Sequence, residues 1–487
     1  MNDFKYWLFT LHIFLIACVL ILPSELFGYI ITIIIVGFTF FYYKNGLLLL
    51  FVVFPVRPFL VEINGGLTLL ADFILLTALC IVVYQRSQPI SYWIKEYKWV
   101  GLFLSILIVG LLSGLHTGIS VPAGLFQIRA LLITFLVIIL VKESHWQRIE
   151  LDRMIIISIG TSLFICVHGW IEKLSLRHWL LPAEWQDWNL ASANEMRIYG
   201  LLANPNVLAT YLLIVFFSTF LLKASYPRSK TLIVIRVLLA GTSLLTYSRG
   251  ALLAFAIGTI VFIVLRKAWK QALPLFLYAF VSFSLIYYPM VSVAEKIDES
   301  GYFNKIEEET PPEQVKEKPA APIIKENNVL IERFKEMFSD QTIQASAEWG
   351  RIYVVLKGVE IFQDYPVTGS GFATYGDAAS QSYPSPIYEK YGIPANLYAD
   401  NQYISLLVST GVIGCLFFLI LCFLFIKKVW LLKNNLWRSI SLSAVATLLV
   451  SGLFYNILED KTFTLYFYFI IGYVLNKQNL EKCYEMD

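Results

Sequence analysis

The stretch SKTLIVIRVLLAGTSLLTYSRGALLAFAIGTIVFIVLR, Ser229 to Arg266, decides the fold. It holds two apolar runs, 229–247 and 249–266, that meet at Ser248-Arg249-Gly250. As a helix, each run is long enough to cross about 30 Å of hydrocarbon. Lys223, Arg228 and Lys230 stand before or at the start of the pair, and Arg266, Lys267 and Lys270 at its end. Clustered Lys and Arg mark the cytoplasmic side of a membrane, so the pair reads as a hairpin whose tight turn faces outward.

The rest of the chain repeats this pattern. Hydrophobic residues make up 57% of it and charged residues 15%, with a mean hydropathy of +0.66. A soluble globular domain carries about 25% charged residues, so this chain is not built for water on all sides. Reading for membrane-length apolar runs gives about fourteen helices. They lie near 6–23, 27–43, 46–62, 66–84, 99–116, 122–141, 154–172, 205–222, 229–247, 249–266, 271–293, 402–426, 438–457 and 462–476. The first run leads into another with no small-residue cleavage site, and so reads as an anchor. The expected fold is an all-α polytopic membrane protein.

Further basic clusters lie at Arg86, Lys95 and Lys98, at Lys142, Arg148 and Arg153, and at Lys427, Lys428, Lys433 and Arg438. With those around the hairpin they fall in every second loop, which puts both termini in the cytoplasm. Residues 1–293 then carry eleven helices, 294–401 form one large extracytoplasmic loop, 402–476 carry three more helices and 477–487 form a tail. The net charge of +3 is thus a mark of orientation and not a nucleic-acid footprint. The six cysteines include no CxxC pair, so neither a disulfide framework nor a zinc site is expected. No histidine falls in 294–401, which leaves no triad or His-metal cluster there. No phosphate-binding glycine loop follows a strand pattern, which argues against a nucleotide-driven pump.

Two segments lie outside the apolar runs. In about 173–204, Trp179, Trp185 and Trp188 read as interfacial anchors at headgroup depth. The longer loop begins with the polar stretch EEETPPEQVKEKPAAPIIKENN, and from about Val329 to Lys357 its apolar residues recur at helical spacing.

Ionisable residues at or inside membrane helices are costly and so informative. Arg197, Arg249, Arg351 and Asp400 all fall on the expected outer face. Converging guanidiniums suit a diphosphate, because Arg offers planar paired donors to phosphate oxygens. A carboxylate beside them can take a proton from a sugar hydroxyl. Each residue also has a plainer reading, arginine as an interface anchor and Asp400 as the cap of the helix that follows. As a cap, Asp400 would have its pKa lowered by the helix N-terminus. Asn204, Asn206 and Asn401 flank the same helix entries and join the expected substrate-binding set. Deeper in the chain lie Arg57, Asp72 and Arg129. They either pair, with Asp72 as the partner of Arg57, or line a substrate path.

Four stretches carry a resemblance: RIYGLLANPNVLATYL, TYSRGALLAF, GRIYVVLKGVEIFQDYPVTGSGF and ADNQYISLLVSTGVIG. In this order, and with a large outer loop, they resemble the O-antigen polymerase and ligase superfamily of bacterial membrane glycosyltransferases. The resemblance covers the C-terminal 300 residues or so, while the N-terminal helices match only in hydropathy. It implies transfer of a glycan from an undecaprenyl diphosphate carrier at the outer face of the cytoplasmic membrane, with no metal and no cofactor. Arginines matching Arg197, Arg249 and Arg351 hold the diphosphate in that family. The position of Asp400, before Asn401, is usually a histidine that activates the acceptor hydroxyl, so here either Asp400 replaces that base or the base lies elsewhere.

The expected activity is polymerisation of lipid-linked repeats into a cell-wall or capsular polysaccharide of the teichuronic acid kind. The expected partners are the lipid-linked glycan, membrane lipid and other polysaccharide assembly proteins or a chain-length regulator. A ligase that moves a finished glycan once is the first alternative. A lipid-linked sugar transporter is the second, disfavoured by a single large loop with no counterpart in the other half.

Overall fold

The computed structural model describes residues 2–22, 24–188, 190, 192–224, 229–303, 350–395 and 397–476. Helices dominate, and no strand occurs among the described residues. They are named here as α1 (Asn2–Ile21), α2 (Glu25–Phe41), α3 (Tyr43–Ile63), α4 (Leu70–Arg86), α5 (Val100–Thr117), α6 (Val121–Glu143) and α7 (Arg148–Leu174). There follow α8 (Pro205–Ser218), α9 (Lys230–Leu245), α10 (Arg249–Arg266) and α11 (Trp269–Glu299, with a π turn at Phe283–Tyr287). The last four are α12 (Arg351–Asp364), α13 (Gln402–Trp430), α14 (Asn435–Ser451) and α15 (Lys461–Leu475). Every apolar run read from the sequence lies on one of these helices. Eight of them are long and apolar enough to cross a membrane, and α1, α2, α8 and α15 contain shorter apolar helices. The protein is an all-α multi-pass membrane protein.

Aromatic side chains fill the centre of the bundle between α3, α6 and α15. Phe51 meets Tyr466 edge-on at 5.0 Å, and Phe135 stacks on Phe103 at 3.8 Å. Lipid tails supply no hydrophobic drive between helices, so close approach depends on small residues. A Cβ on Gly472 of α15 would lie 2.7 Å from the Ile138 carbonyl of α6, and one on Gly258 of α10 would lie 2.2 Å from Thr447 Oγ1 of α14.

One helix is broken. At Gly411, with φ 61° and ψ −163°, α13 leaves helical geometry. The amides of Val412 and Ile413 bond instead to the carbonyls of Pro366 (3.0 Å) and Val367 (3.1 Å). Buried backbone N–H groups need such partners. The segment after α12, which the sequence reading put in a large outer loop, folds back onto the bundle. It packs between α5 and α13, where Phe372 N bonds to Gly110 O at 2.9 Å and Thr117 Oγ1 to Ser370 O at 2.8 Å. A Cβ on Gly371 (φ +101°) would fall 1.9 Å from the backbone nitrogen of Gly114, so no other residue fits there.

Of the helical spacing read over 329–357, α12 covers 351–357, while the stretch up to 349 and the tail 477–487 lie outside the described residues. Of the three tryptophans expected as interfacial anchors, Trp179 is exposed. Trp185 is buried against Phe59 and Trp188, because the 175–204 segment folds back onto the bundle.

Candidate functional site

The fold-back of that segment places Arg197. Glu172, buried near the end of α7, accepts hydrogen bonds from the amides of Tyr199 (3.0 Å) and Gly200 (2.7 Å) and pairs with Arg177 at 2.5 Å. Arg197 then donates from Nε to the Thr246 carbonyl (2.8 Å), from Nη1 to Asn194 Oδ1 (3.2 Å) and from Nη2 to Asn206 Oδ1 (2.9 Å). Asn206 Oδ1 also accepts from Ser248 Oγ at 2.8 Å. One amide oxygen thus ties Arg197 to the α9–α10 turn that carries Arg249. Tyr247, at φ 51°, takes the left-handed conformation that lets this turn close.

The sequence placed four charged residues on one face, and the structure brings Arg249, Arg351 and Asp400 within electrostatic reach of Arg197. Burial pushes the Arg197 guanidinium down to about 10, and Tyr199, Arg351, Asp400 and Arg249 all act on it as well. Arg249 and Arg351 are exposed, while Arg197 and Asp400 are half-buried. Arg351 begins α12 and lies 5.6 Å from the ring centre of Phe454, a ring that a Cβ on Gly250 would strike at 2.6 Å. Burial raises the Asp400 pKa, against the pull of Arg351 and Arg197. A lowered value was expected from a helix cap, and the difference has a geometric cause: the cap of α13 is Asn401. Its Oδ1 accepts from Tyr403 N (3.0 Å) and Ile404 N (3.1 Å), so the Asp400 carboxylate is not spent on the helix end. Asn204 likewise caps α8, accepting from Asn206 N at 2.8 Å and Val207 N at 3.3 Å.

Sequence reasoning missed a second layer beneath the site. Glu459, in the turn between α14 and α15, accepts from Gln127 Nε2 (2.6 Å), Ala378 N (3.1 Å) and Tyr398 Oη (3.4 Å). Its pKa is pushed up to about 8 by burial and then by the charge of Asp377. The Asp377 carboxylate is itself held by Ala373 N and Ser380 N. Tyr398 feels both Glu459 and Asp400, which links the buried acid to the open site. The only signal in the sequence was the acidic pair Glu459-Asp460 in a membrane turn.

Arg57, Asp72 and Arg129 gather at the same end of the bundle, with a partner other than the one expected. Asp72 pairs with Arg129 and lies 3.8 Å from Lys461, while Arg57 bonds through Nη2 to the Thr68 carbonyl at 3.0 Å. The rotation of α6 about its axis turns Arg129 onto Asp72. Among the described residues, no group of His, Cys, Asp and Glu comes together that could hold a metal ion.

The fold is that of a multi-pass helical membrane protein, with arginines and a carboxylate gathered at one end of its bundle. Residues 234–419 match the family model described as O-Antigen ligase. This match, over less than half of the chain, supports the O-antigen polymerase and ligase superfamily, glycosyltransferase-like enzymes that use lipid-linked glycans. No curated protein matches the chain.

Proposed function

We propose that this enzyme joins undecaprenyl-diphosphate-linked oligosaccharide repeats into a cell-wall or capsular polysaccharide of the teichuronic acid type, at the outer face of the cytoplasmic membrane. The observation that carries the reading is the gathering of Arg249, Arg351 and Asp400 about Arg197, with Arg351 and Arg197 both acting on Asp400. In the reaction, a terminal hydroxyl of one lipid-linked unit attacks the anomeric carbon of another. The new carbon–oxygen bond forms as the bond to the carrier diphosphate breaks, and the configuration at the carbon inverts. The hydroxyl proton passes to Asp400, and the diphosphate leaves with the electron pair. The arginines hold the leaving charge in place, the largest electrostatic contribution such a site can make.

Three features support this assignment of roles. Two of the arginines are exposed and present their donors to a ligand. Asp400 is ionisable, raised by burial towards the strength of a useful base, and not engaged as a cap. Asn206 fixes Arg197 in position, while Asn204 and Asn401 fix the helix ends that frame the site.

The test is a gel of products from vesicles holding the enzyme and lipid-linked repeats. Wild type gives a ladder, Arg249→Ala and Arg351→Ala lose it at unchanged expression, and Asp400→Asn abolishes it without touching the Asn401 cap. A ladder that persists in the arginine variants refutes the roles given to them. A single product of fixed size replaces polymerisation by ligation.

A further inference from the structure

The group around Asp72 carries unbalanced charge. Arg57, Arg129 and Lys461 converge there from α3, α6 and α15, and Asp72 is the carboxylate that two of them share. Arg129 takes one carboxylate oxygen, and the other is 3.8 Å from Lys461 Nζ, beyond hydrogen-bond length. Arg57 has no ion pair among the described residues, and its Nε is buried with no hydrogen-bond partner. Among the described residues, two arginines and one carboxylate leave at least one positive charge uncompensated here, with the Lys461 amine beside them. A cluster kept only for packing would be costly in that state, since a buried charge needs a partner. The cluster is also reachable: the Arg129 and Lys461 side chains keep 30% and 17% of their exposure.

Its position relative to the first site gives it a use. Lys461 follows Glu459 by two residues and Arg129 follows Gln127 by two, and Gln127 and Glu459 are bonded at 2.6 Å. From Glu459 the contacts run through Tyr398 to Asp400. Two basic clusters are therefore linked through one layer of acid and phenol.

We infer that Arg57, Arg129 and Lys461 form a second anion site, which holds the diphosphate of a second lipid-linked glycan, the acceptor, while the Arg197 cluster holds that of the donor. This rests on the polymerase reading, in which both reactants carry the same charged group. Two fixed diphosphates would direct the two sugars toward the layer between them. A phosphodiester lipid headgroup offers similar chemistry with less charge, and the experiment separates the two.

Full-length protein in nanodiscs is titrated with undecaprenyl diphosphate, and bound copies are counted by native mass spectrometry. Wild type is expected to bind two. Arg57→Gln breaks no ion pair and serves as the main variant. It is expected to bind the second copy about tenfold or more weakly, the effect of losing a charged hydrogen bond. Lys461→Gln should behave alike and Lys461→Arg should restore binding, which separates a lost ligand contact from a lost fold. Arg249→Gln should also leave one copy, and the combined Arg57→Gln and Arg249→Gln variant none.

Two copies bound by Arg57→Gln and Lys461→Gln as tightly as by wild type would overturn the inference. So would phosphatidylglycerol displacing the second copy at equal concentration. One copy in wild type, lost with Arg249→Gln and kept with Arg57→Gln, overturns the second site alone and leaves the proposed function standing. One copy lost only with Arg57→Gln overturns the role of the first cluster instead, and no copy at all overturns both.

Discussion

Asn206 is the most economical place to test the site, because one oxygen holds two of its parts together. It accepts from Arg197 Nη2 at 2.9 Å and from Ser248 Oγ at 2.8 Å. The first bond joins a charged donor to a neutral acceptor, a class that contributes about 1.5–3 kcal/mol, and the second is a neutral pair of about 0.5–1.5 kcal/mol. At about 1.4 kcal/mol per tenfold in rate, Asn206→Ala, which loses both bonds, should lower kcat/KM about 30- to 1,500-fold, provided that Arg197 meets charge developing in the transition state. Ser248→Ala loses only the neutral bond and should cost about 2- to 10-fold.

Asn206→Asp separates geometry from charge. It keeps an acceptor for both donors but adds a negative charge about 3 Å from the guanidinium, an attraction of about 5 kcal/mol at an effective dielectric of 20. That charge competes with the diphosphate for Arg197, so Asn206→Asp should be slower than Asn206→Ala despite its intact bonds. The assay is the initial rate of chain extension in proteoliposomes at subsaturating lipid-linked repeat. If Asn206→Asp matched wild type, Arg197 would not act through its charge. An Asn206→Ala rate within twofold of wild type would show that Asn206 does not position it.

Three further outcomes follow from the same geometry. Asp400 works as a base only when ionised, and burial holds its pKa above the ordinary 3.8. The rate should therefore fall with acidity through a midpoint above that value, and Asp400→His should move the midpoint up towards about 6.5; a limb that stays in place in the pH–rate profile excludes Asp400 as the titrating base. Glu459, raised from 4.5 to about 8, keeps its proton in the folded protein at pH values where the unfolded chain has released it. Stability should thus decline as pH rises from about 4.5 to about 8 and level off above, and thermal unfolding of Glu459→Gln should lack that decline. Gly371→Ala places a Cβ against the Gly114 backbone at a φ of +101°, and overpacking with backbone strain should destabilise the protein by about 3 kcal/mol or more, read as a lower melting temperature in detergent.

The helices were legible because lipid imposes one rule on a long chain, and hydropathy reports it at every run. The four charged residues stood out for a related reason. In a chain with so few charges, Arg197, Arg249, Arg351 and Asp400 had to be noticed, and alternation of the basic loops assigned them to one face. What periodicity does not carry is rotation and fine backbone geometry. Asp72 pairs with Arg129 because of how α6 is turned, and the cap passed from Asp400 to Asn401 through the extended backbone of a single residue (φ −158°, ψ 108°).

The break in α13 shows the same limit on a larger scale, and it explains how the site is held. Hydropathy runs unbroken through Ser409-Thr410-Gly411-Val412, yet the helix opens there because a segment some forty residues earlier supplies the missing acceptors. Gly369 and Gly411 face each other at positive φ, each where a Cβ would strike the other strand of chain at 2.4 Å. Ser370 N closes the join on Val408 O at 2.8 Å. The stretch from α12 to α13 is thereby locked as one body. Arg351 stands at its beginning and Asp400 near its end, and the Gly376 carbonyl, bonded to Ala399 N (2.8 Å) and Asn456 Nδ2 (3.0 Å), ties that end to the turn bearing Phe454 and Glu459. A loop that ran wholly in water would leave the arginine and the carboxylate to find each other. Threaded into the bundle, it ties both to one packed body, and on the proposed function that is the preorganisation that electrostatic catalysis requires.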